Sequence, residues 1–549
     1  MEGKKLNLKW VTEVIGEDYK NWKKGDVVRV QAQTGTGKTL MITGNDKVKG
    51  MIDRMEDYEE LIYICNRIEL KRQIKLDLLK KYNLEIPTTI EELDNKKKIK
   101  NITITSYHAI AYRELEKIYN DKDYSLDKYS YIVCDECHFF TADGDFNNKT
   151  RLAYKSLVKT RHRNAIKIFI SATMDEVANA IDKVMKEYKL DIFKKNTIHT
   201  YSTGIDYSYL NTKYFTKISD IITLIKNDKS NDKWLVFVTS KSNGKDILDK
   251  LTSYNISSEL IISGTNNKES KNITTESKFN CKVLITTKVL DNGVNIKDVD
   301  VKNLVVMAND KTTFLQEIGR IRFRIDNAPN INLYIYVSNK RVFNTFINKV
   351  YEPKFNSYNL FVDNKKEFEK KYDNDLSKVY DDIFYREVNT NKYKVNKFGL
   401  VRLFRDMSFA KDMLEKLEND KFAFIKEQLS WLGLEDTFSK ENLIENVAED
   451  SNLELLKNFL DNAYKNDERF TKEYFLGKMD EFINADESLR IELNKIDGGK
   501  SRKKGMKAYN DLFSNKLKIN YNVGSKEVKK TIDGKRKKFT YWTIFLINE

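Results

Sequence analysis

The stretch VVRVQAQTGTGKTLMITG, Val27 to Gly44, decides the architecture. The apolar, β-prone run Val27–Val30 passes into AQTGTGKT at Ala32–Thr39 and then into a helical pattern. A strand, a glycine-bearing loop and a helix in that order wrap backbone N–H groups around a phosphate. Only glycine lets the main chain come that close. Gly35 and Gly37 take these positions, with Thr34 and Thr36 before each of them. Lys38 can reach the outer phosphates as a point charge, and Thr39, at the helix start, can offer its hydroxyl to Mg²⁺. Ala32 stands where the general pattern has its first glycine.

A phosphate loop needs an acid at the tip of a neighbouring buried strand, and YIVCDECH, Tyr131 to His138, supplies it. Asp135 can hold the metal, often through water, and Glu136 can orient or deprotonate an attacking water. The same run contains Cys134-x-x-Cys137. A zinc site would need two further ligands at comparable spacing, and Cys65 and Cys281 stand isolated, so no metal–thiolate centre is expected.

Outward from these motifs, two segments alternate short apolar runs with amphipathic helical patterns, as βαβ units on a parallel sheet do. The first carries strand candidates at Val27–Val30, Leu61–Cys65, Ile102–Thr105, Tyr131–Cys134 and Ile166–Ile170. The second carries them at Trp234–Val238, Leu260–Ile262, Lys282–Thr286, Asn303–Met307 and Leu333–Val337. Most are apolar without alternation, as suits strands covered on both faces. The spacing gives domains over 1–203 and 204–350, a helical region over 351–446 with one long stretch at Phe409–Leu434, and a basic module over 447–549. In the last, a helix candidate, RKKGMKAYNDLFSNKL, precedes β-prone KINYNV and KKFTYWTIFLI, an order compatible with a winged helix.

Composition excludes other classes. The 549 residues are 40% hydrophobic and 12% aromatic, too apolar for a disordered chain, and no apolar run approaches the ~20 residues of a membrane span. MEGKKLNLKW lacks a secretory signal, and four cysteines cannot staple a chain of this size, so a reducing cytoplasm is the expected compartment. The 3 prolines, with abundant Lys, Asn and Ile, point to an AT-biased bacterial or phage genome. The net charge is +15, and Lys500–Lys538 alone holds 14 basic and 3 acidic residues. So concentrated a field favours a polyanion, of which nucleic acid is the commonest.

With the phosphate loop and DECH in place, the sequence resembles a superfamily 2 helicase or translocase of the DExH type. YICNRIELKRQI (Tyr63–Ile74) is similar to motif Ia, TSYHAI (Thr105–Ile110) to motif Ib and SAT (Ser171–Thr173) to motif III. WLVFVTSK (Trp234–Lys241) resembles motif IV, LITTKVLDNGVNI (Leu284–Ile296) motif V and QEIGRIRFR (Gln316–Arg324) motif VI. The resemblance spans roughly residues 20–340. It implies two tandem RecA-like domains with ATP and Mg²⁺ in the cleft between them. It also implies arginine fingers at Arg320 and Arg322, with Arg324 the other candidate for the second, and Gln316 reading the cleft state. By the same resemblance Ser171 and Thr173 couple the domains, Gly293 faces the nucleotide, and Asp291 faces the strand. Arg67, Thr105, Thr239, Lys241 and Thr287 would hold a single strand by its phosphates, with little base selectivity. Asn295 replaces an aspartate common in related families, and residues 1–30 contain no adenine-reading glutamine, so Trp22 or Tyr19 either stacks on a base or is a buried aromatic.

The expectation is therefore an ATP-dependent helicase moving 3′→5′ on a single strand, with DNA slightly favoured over RNA. The alternatives are a duplex-tracking translocase in a restriction or defence assembly, and a nucleic-acid sensor that uses ATP as a switch.

Overall fold

The computed structural model describes the chain apart from residues 1–2, 46, 67, 121–124, 143–149, 161, 190–197, 263–268, 270–271, 274–275, 288–294, 374–377, 388–389, 445–446, 485–504, 533–534 and 548–549. Seven strands build the first sheet: β1 (Val27–Gln31), β2 (Leu61–Ile64), β3 (Lys98–Ile99), β4 (Ile102–Thr105), β5 (Tyr131–Asp135), β6 (Ile166–Ser171) and β7 (Ile198–Ser202), in the order β3-β4-β2-β5-β6-β1-β7. All neighbours run parallel except β3 against β4. Every residue of β2, β4 and β6 is buried, so both faces are covered. One face packs Ile62, Ile64, Ile132 and Phe169; the other packs Val28, Val30, Leu61, Ile168 and Ile170.

The second sheet contains β8 (Leu210–Phe215), β9 (Lys233–Phe237), β10 (Ser258–Ile261), β11 (Val283–Thr286), β12 (Val301–Val306) and β13 (Ile331–Tyr336), in the order β10-β11-β9-β12-β13-β8, with Leu443–Ile444 beside β8. β1, β2, β4, β5, β6 and β9 to β13 fall within a residue or two of their expected places. β3, β7 and β8 have no counterpart among the strand candidates: β3 is two residues long, and IHTYS and LNTKYF interleave exposed and polar positions and contain no apolar run.

Beyond residue 351 the helices Glu352–Asp363 and Lys365–Asp373, a short hairpin of Phe384–Arg386 with Tyr393–Val395, and the helices Lys397–Asn419 and Ala423–Leu432 complete the unit that holds both sheets. The long helix expected at Phe409–Leu434 is two helices. Asp420 breaks it, its carboxylate accepting the backbone N–H of Phe422, which satisfies a group the helix would otherwise have used. Ala410, Met413, Phe424 and Leu429 from these helices share one core with Leu304, Val306 and Phe343 of the second sheet's layer.

A second compact unit combines residues 217–228 with 444–549. Its helices Val447–Lys465, Lys472–Asn484 and Met506–Asp511 precede an antiparallel ribbon of two 12-residue strands, Tyr521–Ile532 and Lys535–Leu546. Its core is Leu456, Leu460, Phe475, Met479, Leu512, Phe513, Val523, Trp542 and Ile544. Between the first two helices Phe470 exchanges two backbone hydrogen bonds with Trp542, at 2.8 and 2.9 Å. The polar segment KEVKKT, outside the β-prone runs, continues the first strand of the ribbon.

Candidate active site in the cleft between the two sheets

Strand register gathers the motifs at one edge. Gln31 at the end of β1 pairs with Ser171 at the end of β6, and Asp135 at the end of β5 pairs with Ile170. The loop after β1, the acids after β5 and SAT after β6 therefore open side by side, at the carboxyl ends of parallel strands, where α/β sheets bind ligands. Backbone bonds fix the alignment: Ala32 N–H donates to Ser171 O and Cys137 N–H to Ile170 O, both at 3.0 Å.

Gly35 and Gly37 have φ of 91° and 83°, a region open to glycine and strained for other residues. A Cβ on Gly37 would lie 3.0 Å from the ring of Trp10, which packs over the loop. Lys38 begins the helix Lys38–Thr43, and its Nζ bonds Glu136 Oε1 at 2.9 Å, with the side chains 11% and 12% exposed. Glu136 itself has φ of 50°, unusual for a residue with a Cβ and worth about 1–3 kcal/mol of strain. Its N–H donates to Asp135 Oδ1 at 2.9 Å, which helps to hold that conformation. Asp135 is buried, and its other oxygen accepts from the Tyr63 hydroxyl. Burial first, and then the charge of Asp135, push the Tyr63 hydroxyl well above its ordinary pKa, so it stays a donor. Burial likewise pushes the Cys134 thiol up to about 12 and that of Cys137 well upward. These are protonated core side chains.

The second sheet's layer closes the site. The helix Lys311–Ile318 places Gln316 so that its amide hydrogen-bonds His138 Nε2, while His138 Nδ1 lies 3.1 Å from Ser171 Oγ and 3.4 Å from Glu136 Oε2. Ser171 Oγ also accepts the N–H of Thr173 at 3.0 Å. At the start of that helix, Thr312 Oγ1 donates to Glu176 at 2.6 Å and Lys311 pairs with Asp175 at 2.7 Å. A cavity between the layers is lined by Thr34, Glu136, His138, Thr173, Gln316, Gly319, Arg320 and Arg322. Arg320 is only 1% exposed. Arg322 Nε donates to Asn295 Oδ1 at 2.7 Å, and its backbone N–H to Ile296 O at 2.7 Å. Arg324 is elsewhere: it pairs with Asp326 at 2.7 Å and its side chain is 79% exposed. Arg322, the favoured candidate for the second finger, lines the cavity, and Arg324, the other candidate, does not.

Other expected residues are distributed less tightly. Thr36 is buried and its hydroxyl donates to Gln33 O at 2.7 Å. Thr39 O accepts from the Thr43 hydroxyl at 3.2 Å. Thr105 ends β4, while Thr239 and Thr287 follow the neighbouring strands β9 and β11, with Lys241 opening the helix after Thr239. Arg67, Asp291 and Gly293 lie outside the described residues. Of the two candidates for stacking on a base, Trp22 takes the alternative of a buried aromatic. Trp22 is buried, with its indole N–H on Tyr201 Oη at 3.0 Å and its ring beside His199. Tyr19 lies under the Arg54 guanidinium at 4.2 Å.

Sequence spacing carries no sign of a second set of contacts around the loop. Residues 4–11 run from one sheet to the other: Leu6 N–H donates to Ile325 O at 2.8 Å, Lys9 N–H to Thr203 O at 3.0 Å and Val11 N–H to Thr36 O at 3.0 Å. The Gln33 side chain brackets Asp206, donating to its carbonyl at 2.9 Å and accepting its N–H at 2.8 Å, and Gln33 N–H donates to Thr203 Oγ1 at 3.1 Å. The partners of Gln33 stand 170 and 173 residues away in sequence, too far for any local pattern to betray them.

The donor set fits a triphosphate with a hard divalent cation. Backbone N–H groups and Lys38 face one side, buried guanidinium the other, and hydroxyl and carboxylate oxygens of Thr39 and Asp135 suit Mg²⁺. Two family models match the chain: DEAD/DEAH box helicase over residues 16–181 and helicase conserved C-terminal domain over residues 216–324. The chain is 23% identical over 313 residues to the ATP-dependent RNA helicase SUB2 of Coccidioides immitis, a match covering 53% of this chain and 67% of that protein. Among solved structures it is similar to S. cerevisiae Dbp5 bound to RNA and ADP BeF3, with 19% identity, 58% and 81% of the two chains covered and a TM-score of 0.39. It is also similar to the Mycobacterium smegmatis helicase Lhr bound to ssDNA and AMP-PNP, with 14% identity, 60% and 45% covered and a TM-score of 0.40. With both halves of the helicase unit matched in order and the two sheets that carry them in place, the chain belongs to the DEAD/DEAH-box type of superfamily 2 helicases, which are ATP-hydrolysing enzymes.

Proposed function

We propose that the protein is a motor that couples ATP hydrolysis to stepping along a single nucleic-acid strand, in the 3′→5′ direction, and so separates duplexes. The observation that carries this is the placement of Lys38 and Glu136 on one wall of a cleft whose other wall presents Arg320 and Arg322. Bound ATP with Mg²⁺ supplies the phosphoanhydride, and Thr39 and Asp135 are the residues that would hold the metal.

Lys38 is shared between Glu136 and the incoming phosphates, so substrate binding releases the Glu136 carboxylate to orient water and take up its proton. Arg320 and Arg322 stabilise negative charge from the far wall. Gln316 and His138 report whether the walls are together, because their hydrogen bond exists only when the layers meet. Thr239, Lys241 and Thr287, at the carboxyl edge of the second sheet, and Thr105, at that of the first, are proposed phosphate contacts. The sequence slightly favours DNA as the track, whereas the curated relative is by name an RNA helicase. The experiment therefore runs both polymers.

The test is steady-state ATPase activity with and without single-stranded DNA or RNA, at two salt concentrations. Stimulation by at least one polymer, weakening as salt rises, is expected. Absence of stimulation by either would defeat the motor. Glu136→Gln should lower turnover by about 10²–10⁴-fold while ATP still binds.

A further inference from the structure

The ribbon of the C-terminal unit has two unlike faces. Cross-strand partners share a face, so Val523 with Ile544, and Ser525 with the buried Trp542, mark the inward face at its base. The opposite face carries the pairs Asn522–Phe545, Gly524–Thr543, Lys526–Tyr541 and Val528–Phe539, and then Lys537; it is covered at Thr543, which is buried with its hydroxyl donating to Glu468 O at 3.0 Å. Phe545 is 45% exposed although its ring lies over Gly524, and Tyr541 and Phe539 are half-buried. Lys526 and Lys537 are exposed beside them.

Towards the tip the register sets like charge against like, with Lys529 opposite Lys538, and Arg536 follows two residues before Lys538 on the same side. Directly opposed like charges weaken a ribbon. Among the described residues two carboxylates give limited relief, Glu527 to Lys538 at 2.9 Å and Asp467 to Lys526 at 3.4 Å. An anion would relieve this repulsion, and the run of charge along the ribbon matches a polyphosphate. The aromatics narrow the choice. Phe539 and Tyr541 stand two apart on one face of one strand, about 7 Å from each other, with Phe545 further along the same face. That spacing suits successive unpaired bases of an extended strand, each able to lie on a ring.

We propose that the outward face of this ribbon is a second binding site for single-stranded nucleic acid. Bases stack on Phe539, Tyr541 and Phe545, and phosphates lie along Lys526 and Lys537, in the field of Lys529, Arg536 and Lys538 from the other side of the tip. The inference rests on the nucleic-acid motor reading, but it concerns affinity rather than the hydrolytic site.

The test measures binding of fluorescent 20-nucleotide single-stranded DNA and RNA, and of a blunt duplex, to the full chain by anisotropy at several salt concentrations, alongside basal ATPase. For Lys526→Glu/Lys537→Glu, single-strand affinity should fall at least 10-fold. The slope of log K against log salt should flatten by about 1.4, at about 0.7 for each phosphate no longer neutralised. For Phe539→Ala/Tyr541→Ala, affinity should fall about 10-fold with the slope unchanged. Basal ATPase should hold within twofold in both, and an unchanged circular dichroism spectrum and melting profile show that the ribbon's own unit has folded. Wild-type affinity and slope in both variants, beside a wild type stimulated by nucleic acid, would overturn the ribbon site and leave the motor standing. Loss of duplex binding alone would overturn it in favour of a groove-binding ribbon. A wild-type chain that neither binds nor responds to either polymer would remove both readings. The DNA and RNA arms identify which strand the site prefers.

Discussion

Charge is handled in opposite ways in the cleft and on the ribbon. In the cleft Lys38 and Glu136 are nearly buried and meet each other, and Arg320 is buried among groups that converge on one small volume. On the ribbon, lysine stands opposite lysine along exposed strands. Removing one partner of a buried pair leaves a desolvated charge and costs about 3–5 kcal/mol, whereas exposed pairs are worth about 0–1 kcal/mol. Identity and position therefore decide the outcome in the cleft, while number and sign decide it on the ribbon.

The strongest way to break this contrast is at the arginines. Arg320→Ala should lower kcat for ATP about 10³-fold, as removal of a finger does, while Arg324→Ala, exposed and paired with Asp326, should stay within twofold. Comparable losses in steady-state assays would show that the cleft is no more position-sensitive than the ribbon. A smaller effect is expected at Gln33. Gln33→Ala removes both hydrogen bonds to Asp206 and frees the loop from the connector between the sheets. Because a 1 Å misplacement can cost about 10²-fold, kcat should fall about 10-fold with KM for ATP within twofold. A rise in KM alone would mean that Gln33 serves binding instead.

Lys167 sharpens the comparison from another side. It is a buried cation whose acceptors are the carbonyls of Thr160 at 2.6 Å and Val158 at 3.5 Å, and burial lowers its pKa to about 7. The unfolded chain then binds more protons between about pH 7 and 10.5, so stability rises with pH across that window. Lys167→Met should raise the unfolding midpoint by about 2–4 °C at pH 6, measured by calorimetry, and leave it nearly unchanged at pH 10. An equal shift at both values would place the effect in packing instead of protonation.

The parts legible in sequence are those whose chemistry is local. A loop with Gly35 and Gly37, an acid pair after an apolar strand and SAT at a strand end each announce themselves within a few residues. β7 escapes because an edge strand such as IHTYS buries too little to show a pattern. Trp22 looks available to a base because it precedes the loop, yet the pairing of β1 with β7 sets it against His199 and Tyr201. Arg322 and Arg324 differ only by which way the chain turns after Ile321, which is bridged to Ile296 from another strand end. Gln33 with Asp206, and the run of residues 4–11 across both layers, join distant parts of the chain in ways that no periodicity encodes.

That run has a mechanical consequence. Its anchors are Leu6 on the Ile325 side and Lys9 on Thr203, beside the end of β1, and three peptide units reach at most about 11 Å when pulled straight. It is a leash of fixed length, so the jaws of the enzyme can part there only that far before a backbone bond at one anchor has to let go.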